Sequence, residues 1–281
     1  LNQLLITHKP QVYVLLGWPL NYTLSPLIHN CIFSQRQKGE IYYTQPVFPA
    51  DFFHFVKLFR LLGWQGANVT TPFKEEIITH LDYVDPLAAK IGAVNTIHNE
   101  DGRLSGYNTD AGGFIMTLPT SLSKDHPVLC LGAGGAARAI VFSLAEVGYR
   151  YIRVANRTVE RTEMLCSDLR VHYPNCDISS ISWRHLAAQH FIESELIINC
   201  TSVDFPWPLE LHKQSLFSGA KCVYDLRYGR SENGFIALAQ NQQVPSVING
   251  VDMLIWQAAL AQQIWTGAMP SISLIKEKLK L

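Results

Sequence analysis

The feature that most constrains this chain is a glycine-rich turn between an apolar run and a helical pattern. Residues 128–131 (Val-Leu-Cys-Leu) run into Gly132, Ala133, Gly134, Gly135, Ala136 and Ala137, which spell G-x-G-x-x-A. In such a turn the first glycine allows a tight reversal and the second lets the backbone approach a pyrophosphate. The last small residue lets the following helix pack closely on the strand. The helix N-terminus then offers N–H groups and the positive end of its dipole to an anion. The surroundings decide between this reading and a plain glycine turn. From residue 128 onward there are six strand-like runs, at 128–131, 151–155, 177–181, 196–200, 222–226 and 244–248, with helical spacing between most of them. Six parallel strands in two βαβαβ halves are what a dinucleotide-binding Rossmann domain requires.

The end of the second run indicates which dinucleotide. NAD enzymes usually place a carboxylate there to hold the ribose 2′-OH. Here the run ends in Asn156, Arg157 and Thr158, with Arg161 one helical turn beyond. Guanidiniums fork phosphate oxygens and stack on flat rings. The segment therefore predicts NADP. Arg150, Arg153, Arg157 and Arg161, opposed in that stretch only by Glu160, read as one positive cluster for the extra phosphate.

The first part of the chain also alternates strands and helices. Strand-like runs lie at 12–16, 42–47 and 67–69, and helical spacing at 26–36, 52–62 and 73–81, with Asp51 as the expected N-cap of the second helix. Runs 94–98 and 103–107 flank Glu100, Asp101 and Gly102, a hairpin signal. A Ser- and Pro-rich stretch, 118–127, reads as a linker. After Gly250 a helical run, 251–266, is followed by Pro270 and a last helix. This tail lies beyond the sixth strand and is free to pack on the first part. The expected fold class is α/β, with an N-terminal α/β substrate domain, a Rossmann NADP-binding domain, and C-terminal helices returning to the first domain. The expected division is 1–110 with 250–281, and 111–249.

Composition narrows the function. With 281 residues and 48% hydrophobic content the chain can bury a large core, which excludes intrinsic disorder. Lys+Arg and Asp+Glu both number 23, so no basic excess invites a nucleic acid. No apolar run reaches the roughly 20 residues of a membrane span. The six cysteines form no C-x-x-C pair and the ten histidines no H-E-x-x-H, so no metal site is expected. The first ten residues lack a basic segment followed by a long apolar one, and the thiols read as reduced, which together predict a cytoplasmic protein.

Three segments of the first part carry chemistry. Thr23 and Ser25 place two hydroxyls before Pro26. Asn68, Val69, Thr70, Thr71, Pro72, Phe73 and Lys74 join a polar strand end to a lysine. The runs Gly92 to Thr96 and Gly106 to Asp110 end two neighbouring strands with amides, hydroxyls and one carboxylate. A polyhydroxylated acid needs such a set: many hydrogen-bond partners and one proton-transferring pair. Each segment alone also serves as capping and turn chemistry, Ser25 before Pro26 above all.

Taken together, these segments resemble the shikimate dehydrogenase family over nearly the whole chain. The resemblance runs from the hydroxyl pair through N-V-T-x-P-F-K, G-A-V-N-T, N-T-D, G-A-G-G-A-A-R and N-R-T. It continues with Asn199, Cys200, Thr201 and Ser202, then Gly250 to Leu254 with Gln257, and Trp265, Thr266 and Gly267. It implies reversible NADP-dependent reduction of 3-dehydroshikimate to shikimate, in a cleft between the two domains. It further implies Lys74 and Asp110 as the catalytic pair, with Thr23, Ser25, Thr70, Asn95, Tyr228 and Gln257 contacting substrate. Cofactor contacts are implied at Gly132, Ala133, Gly134, Gly135, Ala136, Asn156, Arg157, Thr158, Arg161, Thr201, Ser202, Gly250 and Met253. The implied partner is a small molecule, with neither nucleic acid nor membrane, and the implied assembly a monomer or homodimer. The chain departs from the family pattern at Tyr22, where His is common, and at Thr23, where Ser is usual. It also departs at Asp204 and in the stretch after Tyr228. Thr23 bears on the choice between shikimate and quinate. A quinate or aminated-analogue dehydrogenase of the same family is one alternative, and a non-catalytic NADP-binding regulator another.

Overall fold

Short apolar runs, each closed by glycine, proline or a polar pair, generate two parallel-rich sheets. The computed structural model describes residues 10–36, 38–183, 186, 193–201, 216–228 and 234–280. The chain divides into two units, Leu1–Thr109 with Leu254–Leu281, and Asp110–Met253.

The first unit holds β1 (Gln11–Gly17), α1 (Ser25–Arg36), β2 (Glu40–Pro46), α2 (Phe52–Leu62), β3 (Gly66–Val69), β4 (Tyr83–Val84), α3 (Pro86–Ile91), β5 (Thr96–Glu100) and β6 (Arg103–Tyr107). The sheet order is β2-β1-β3-β5-β6-β4. β1 is parallel to β2 and β3, whereas β5 is antiparallel to β3 and β6. Strand alternation splits β1 between two cores. Val14 and Leu16 face Phe52, Val56 and Phe59 of α2, where Phe52 also stacks on Phe73 at 3.9 Å. Tyr13 and Leu15 face Phe33 of α1 and, from the far end of the chain, Ala261 and Trp265. The indole N–H of Trp265 donates to the Ile97 carbonyl at 2.8 Å. Its ring lies against Gly66, where any Cβ would collide with it. On the same side His29 stacks on Tyr42 at 4.1 Å and meets the Gln262 amide at 3.0 Å. Burial pushes the His29 imidazole down to about 3, so this aromatic cluster carries no charge near neutral pH.

The second unit contains most of α4 (Thr109–Ile115), then β7 (Val128–Leu131), α5 (Gly135–Glu146), β8 (Tyr151–Asn156), α6 (Val159–His172), β9 (Asp177–Ser182), β10 (Leu196–Asn199), β11 (Cys222–Asp225), α7 (Gly234–Asn241) and β12 (Ser246–Asn249). Among the described residues its six strands are all parallel, in the order β12-β11-β10-β7-β8-β9. Numbered within the unit this is 6-5-4-1-2-3, the doubly wound dinucleotide-binding order. The expected six runs are therefore strands. The last starts two residues late because the Val244 N–H closes α7 on the Ala239 carbonyl. α8 (Gly250–Thr266) and α9 (Ile272–Leu279) complete the chain.

Three local expectations need correction. Residues 73–81 are not an α-helix. They form a turn followed by a 3-10 segment, Glu76–His80. Phe73 and Ile77 sit four apart and both are buried, which mimics a helix, but Ile77, Ile78 and Thr79 are consecutive β-branched residues that resist one. The hairpin strand starts at Thr96, not at residue 94, because the Val94 N–H is bonded to the Lys74 carbonyl at 2.8 Å. Asp51 ends a 3-10 turn and its side chain makes no capping bond. The true capping carboxylate is Asp85, which accepts from Leu87 and Ala88 N–H and starts α3 with Pro86 at its first position. That short helix was not expected from the sequence.

Candidate active site

In the first unit the topology gathers the candidate side chains along one edge of the sheet. β1 and β3 are parallel neighbours, so their C-terminal ends lie together. β5 runs the other way, which brings its start beside the end of β3, with Thr96 opposite Asn68. Tyr107 at the end of β6 pairs with the same Thr96. Thr70 and Lys74 follow β3, Asn95 precedes β5, and Thr109 follows β6. Thr23 and Ser25 stand at the start of α1, on the segment that leaves β1.

Hydrogen bonds fix these groups. Thr23 Oγ1 donates to Ser25 Oγ and accepts from the Ser25 N–H, both at 3.1 Å. The Thr23 proton is thus committed, and the Ser25 hydroxyl is used in this pair only as an acceptor. Lys74 is half-buried, and its backbone is tied down by the Val94 bond. Asn95 is buried, and its Oδ1 accepts from the Thr109 N–H at 2.7 Å and from Thr96 Oγ1 at 3.0 Å. Behind it, Tyr42 Oη donates to Asn68 Oδ1 at 2.8 Å, and Asn68 Nδ2 donates to Thr96 Oγ1 at 3.0 Å. Tyr42, Thr96 and Thr109 were not singled out by sequence reading, although Thr96 and Thr109 lie within the quoted motifs. Gln257 is buried on α8 and its amide donates to the Leu254 carbonyl at 2.9 Å.

In the second unit the glycine turn sits where β7 and β10 adjoin, the point at which strand order reverses and ligands bind. Gly132 has φ +116°, and a Cβ there would stand 3.2 Å from the Cys200 backbone. Gly134 caps α5 with extended backbone and no capping side chain, and a Cβ added to it would meet nothing within 4 Å. A helix start without a capping side chain leaves its first N–H groups without a partner inside the helix, a cradle that fits a phosphate. Ala133 lies in the turn, and Ala137 is buried in the unit's interior. At the end of β8, Asn156 Nδ2 donates to the Thr158 carbonyl at 3.1 Å, and Arg157, Thr158 and Arg161 are exposed.

The four-arginine cluster does not hold. Arg150 pairs with Asp125 at 3.0 Å, and Arg153 binds the Asp177 carboxylate and carbonyl, each at 2.8 Å. Both face the ends of β8 and β9 where those strands begin, which strand direction separates from Arg157. Two guanidiniums, Arg157 and Arg161, remain for a 2′-phosphate. Thr201 Oγ1 donates to Asn199 Oδ1 at 2.7 Å, and the Gly250 N–H donates to the Arg227 carbonyl at 3.1 Å. Met253 is buried. Asp110 lies in the first turn of α4, half-buried. Ser202, Asp204 and the stretch after Tyr228 lie outside the described residues.

Family models match along most of the chain: the shikimate dehydrogenase substrate binding domain at 15–97, shikimate/quinate 5-dehydrogenase at 118–206, and the shikimate 5′-dehydrogenase C-terminal domain at 250–280. The shikimate dehydrogenase (NADP(+)) of Dictyoglomus thermophilum is 36% identical over 281 residues, covering 98% of each chain. The chain belongs to the shikimate dehydrogenase family. Solved members of the shikimate dehydrogenase family have the same architecture. The Aquifex aeolicus enzyme superposes with TM-score 0.85 at 30% identity, covering 98% of this chain and 100% of that one. The Thermus thermophilus enzyme, solved with NADP(H) and shikimate, gives TM-score 0.82 at 32% identity, covering 96% and 98%.

Proposed function

We propose that this member of the shikimate dehydrogenase family catalyses the reversible NADP-dependent reduction of 3-dehydroshikimate to shikimate, within the shikimate pathway that leads to aromatic amino acids. The observation that carries the reading is the end of the first unit's sheet, where Lys74 follows the same strand as Asn68 and is bonded through its backbone to Val94, the chain neighbour of the hydrogen-bonded Asn95, Thr96 and Thr109 group. That donor set suits a polyhydroxylated ring acid. Residues 1–110 with 250–281 are assigned to the substrate-binding domain and 111–249 to the NADP-binding domain, as the sequence implied.

The open N-terminus of α5, the Gly132 turn and the exposed Arg157 and Arg161 fit NADP. When bound, NADPH supplies the hydride that reduces the ketone. The oxygen left behind needs a proton, and the Lys74 ammonium donates it. Asp110 is assigned as the second member of the catalytic pair, as the family resemblance implies. Ser25 offers its proton to the substrate, oriented by Thr23, and Thr70, Asn95, Tyr228 and Gln257 supply the remaining polar contacts. Thr201, Ser202, Gly250 and Met253 are assigned to the cofactor beyond the pyrophosphate.

Replacing Ser25 with alanine is expected to raise KM for shikimate about tenfold with a smaller change in kcat, since a bond made equally to ground and transition state is lost. An unaltered KM would reduce Ser25 to a helix-start residue. Replacing Arg157 and Arg161 with alanine is expected to raise KM for NADP by about 10- to 100-fold while leaving KM for NAD nearly unchanged. Equal effects on both cofactors would assign the 2′-phosphate elsewhere.

A steady-state assay of shikimate and quinate, each with NADP and with NAD, tests the reading. Turnover highest with shikimate and NADP is expected, and no turnover with any pair overturns it. Among the described residues no helix is long and apolar enough to cross a membrane, and no cluster of three His, Cys, Asp or Glu could hold a metal ion. Six free cysteines support a cytoplasmic assignment.

A further inference from the structure

Asp225 ends β11 with no surface exposure, and the reaction as derived makes no use of it. Its Oδ2 accepts from Asn199 Nδ2 at 3.1 Å, across the register pair that closes β10 and β11. Asn199 is itself fully buried, and its Oδ1 accepts both the N–H and the hydroxyl of Thr201. Asp225 Oδ1 accepts the Arg227 N–H at 2.9 Å, and the Arg227 guanidinium folds back onto Oδ2 at 3.0 Å. The Arg227 carbonyl accepts the Gly250 N–H, which ties in the end of β12. One carboxylate thus joins the C-terminal ends of three strands. Thr201 and Gly250 each lie within two hydrogen bonds of it, and Tyr228 stands three residues along the chain.

We propose that Asp225 is a positioning residue for the nicotinamide half of the cofactor. This rests on the reading that the chain binds NADP. In the 6-5-4-1-2-3 order the turn after β7 takes the pyrophosphate. The adenosine half falls on the β8 side, at Asn156, Arg157 and Arg161. The other half falls on the β10 and β11 side, where Asp225 sets the backbone. An asparagine there has the same shape but turns one acceptor oxygen into a donor. That donor faces either Asn199 Nδ2 or the Arg227 N–H, so one bond of the knot is lost.

The test is calorimetric titration of the full chain, wild type and Asp225→Asn, with NADP and with adenosine 2′,5′-bisphosphate. NADP is expected to bind about tenfold more weakly to the variant, as for loss of a charge-assisted bond, and the bisphosphate within about twofold of wild type. A purely structural role would weaken both ligands equally, and that result overturns the proposal, as does unchanged NADP affinity. Should Asp225→Asn fail to fold, Arg227→Gln decides. Its guanidinium is one-fifth exposed and its backbone bond to Asp225 survives the change. Weaker NADP binding with unchanged bisphosphate binding supports the proposal, and unchanged NADP binding overturns it. A wild-type chain that binds neither ligand overturns the NADP reading itself, an outcome distinct from a variant that binds both normally.

Discussion

Replacing Lys74 with alanine is expected to lower kcat by about 10²–10⁴-fold, the usual worth of a positioned general acid. KM for 3-dehydroshikimate should change far less, because the contacts proposed at Ser25, Thr70 and Asn95 remain in place. The backbone at Lys74 is pinned through its carbonyl to Val94, immediately before Asn95, so the substitution removes the ammonium without releasing the chain. The measurement is steady-state turnover at saturating NADPH with 3-dehydroshikimate varied. An unchanged kcat would remove Lys74 from the chemistry. A rise in KM alone would make it a binding group.

The second large effect concerns stability. Trp265→Ala is expected to destabilise the first unit by about 3–5 kcal/mol, the range for deleting a buried large aromatic. The indole contacts Tyr13 at 4.8 Å and His29 at 5.3 Å, lies on Gly66, and donates to the Ile97 carbonyl. Its loss leaves a cavity and takes away a buried bond. Hydrogen exchange is the suitable measurement because the two units need not unfold together. Amides of β1 and β3 should lose protection while those of β7 and β8 keep theirs. Equal loss in both units, or none, would contradict the packing described for α8.

The second unit was largely legible in the sequence. Its central strands are buried on both faces and read as unbroken apolar runs, as Val128, Leu129, Cys130 and Leu131 show. The first unit was less so. Phe73 and Ile77 carry a helical spacing that three β-branched neighbours defeat, and the Asp85–Pro86 start of α3 lies in a segment too short to show a period. Candidate residues at strand ends were visible through polar interruptions of apolar runs, as at Asn68 and Thr70. Pairing between distant charges was not visible, since nothing near Arg153 in the sequence announces Asp177 twenty-four residues on. Asp225 was hidden for a similar reason. Its partners, Asn199 and Arg227, come together only once β10 and β11 are in register.

The first unit is assembled from both ends of the chain, whereas the second is one uninterrupted segment. During synthesis, residues 110–253 leave the ribosome complete and can close their own core. The apolar surface of Tyr13, Leu15, Phe33 and Tyr42 has to wait for Ala261 and Trp265, which are made only after the whole of the second unit. Of the two units, the one whose translation starts first is therefore the one that finishes folding second. Its exposed aromatic face is the part of the nascent protein that most needs shielding by chaperones.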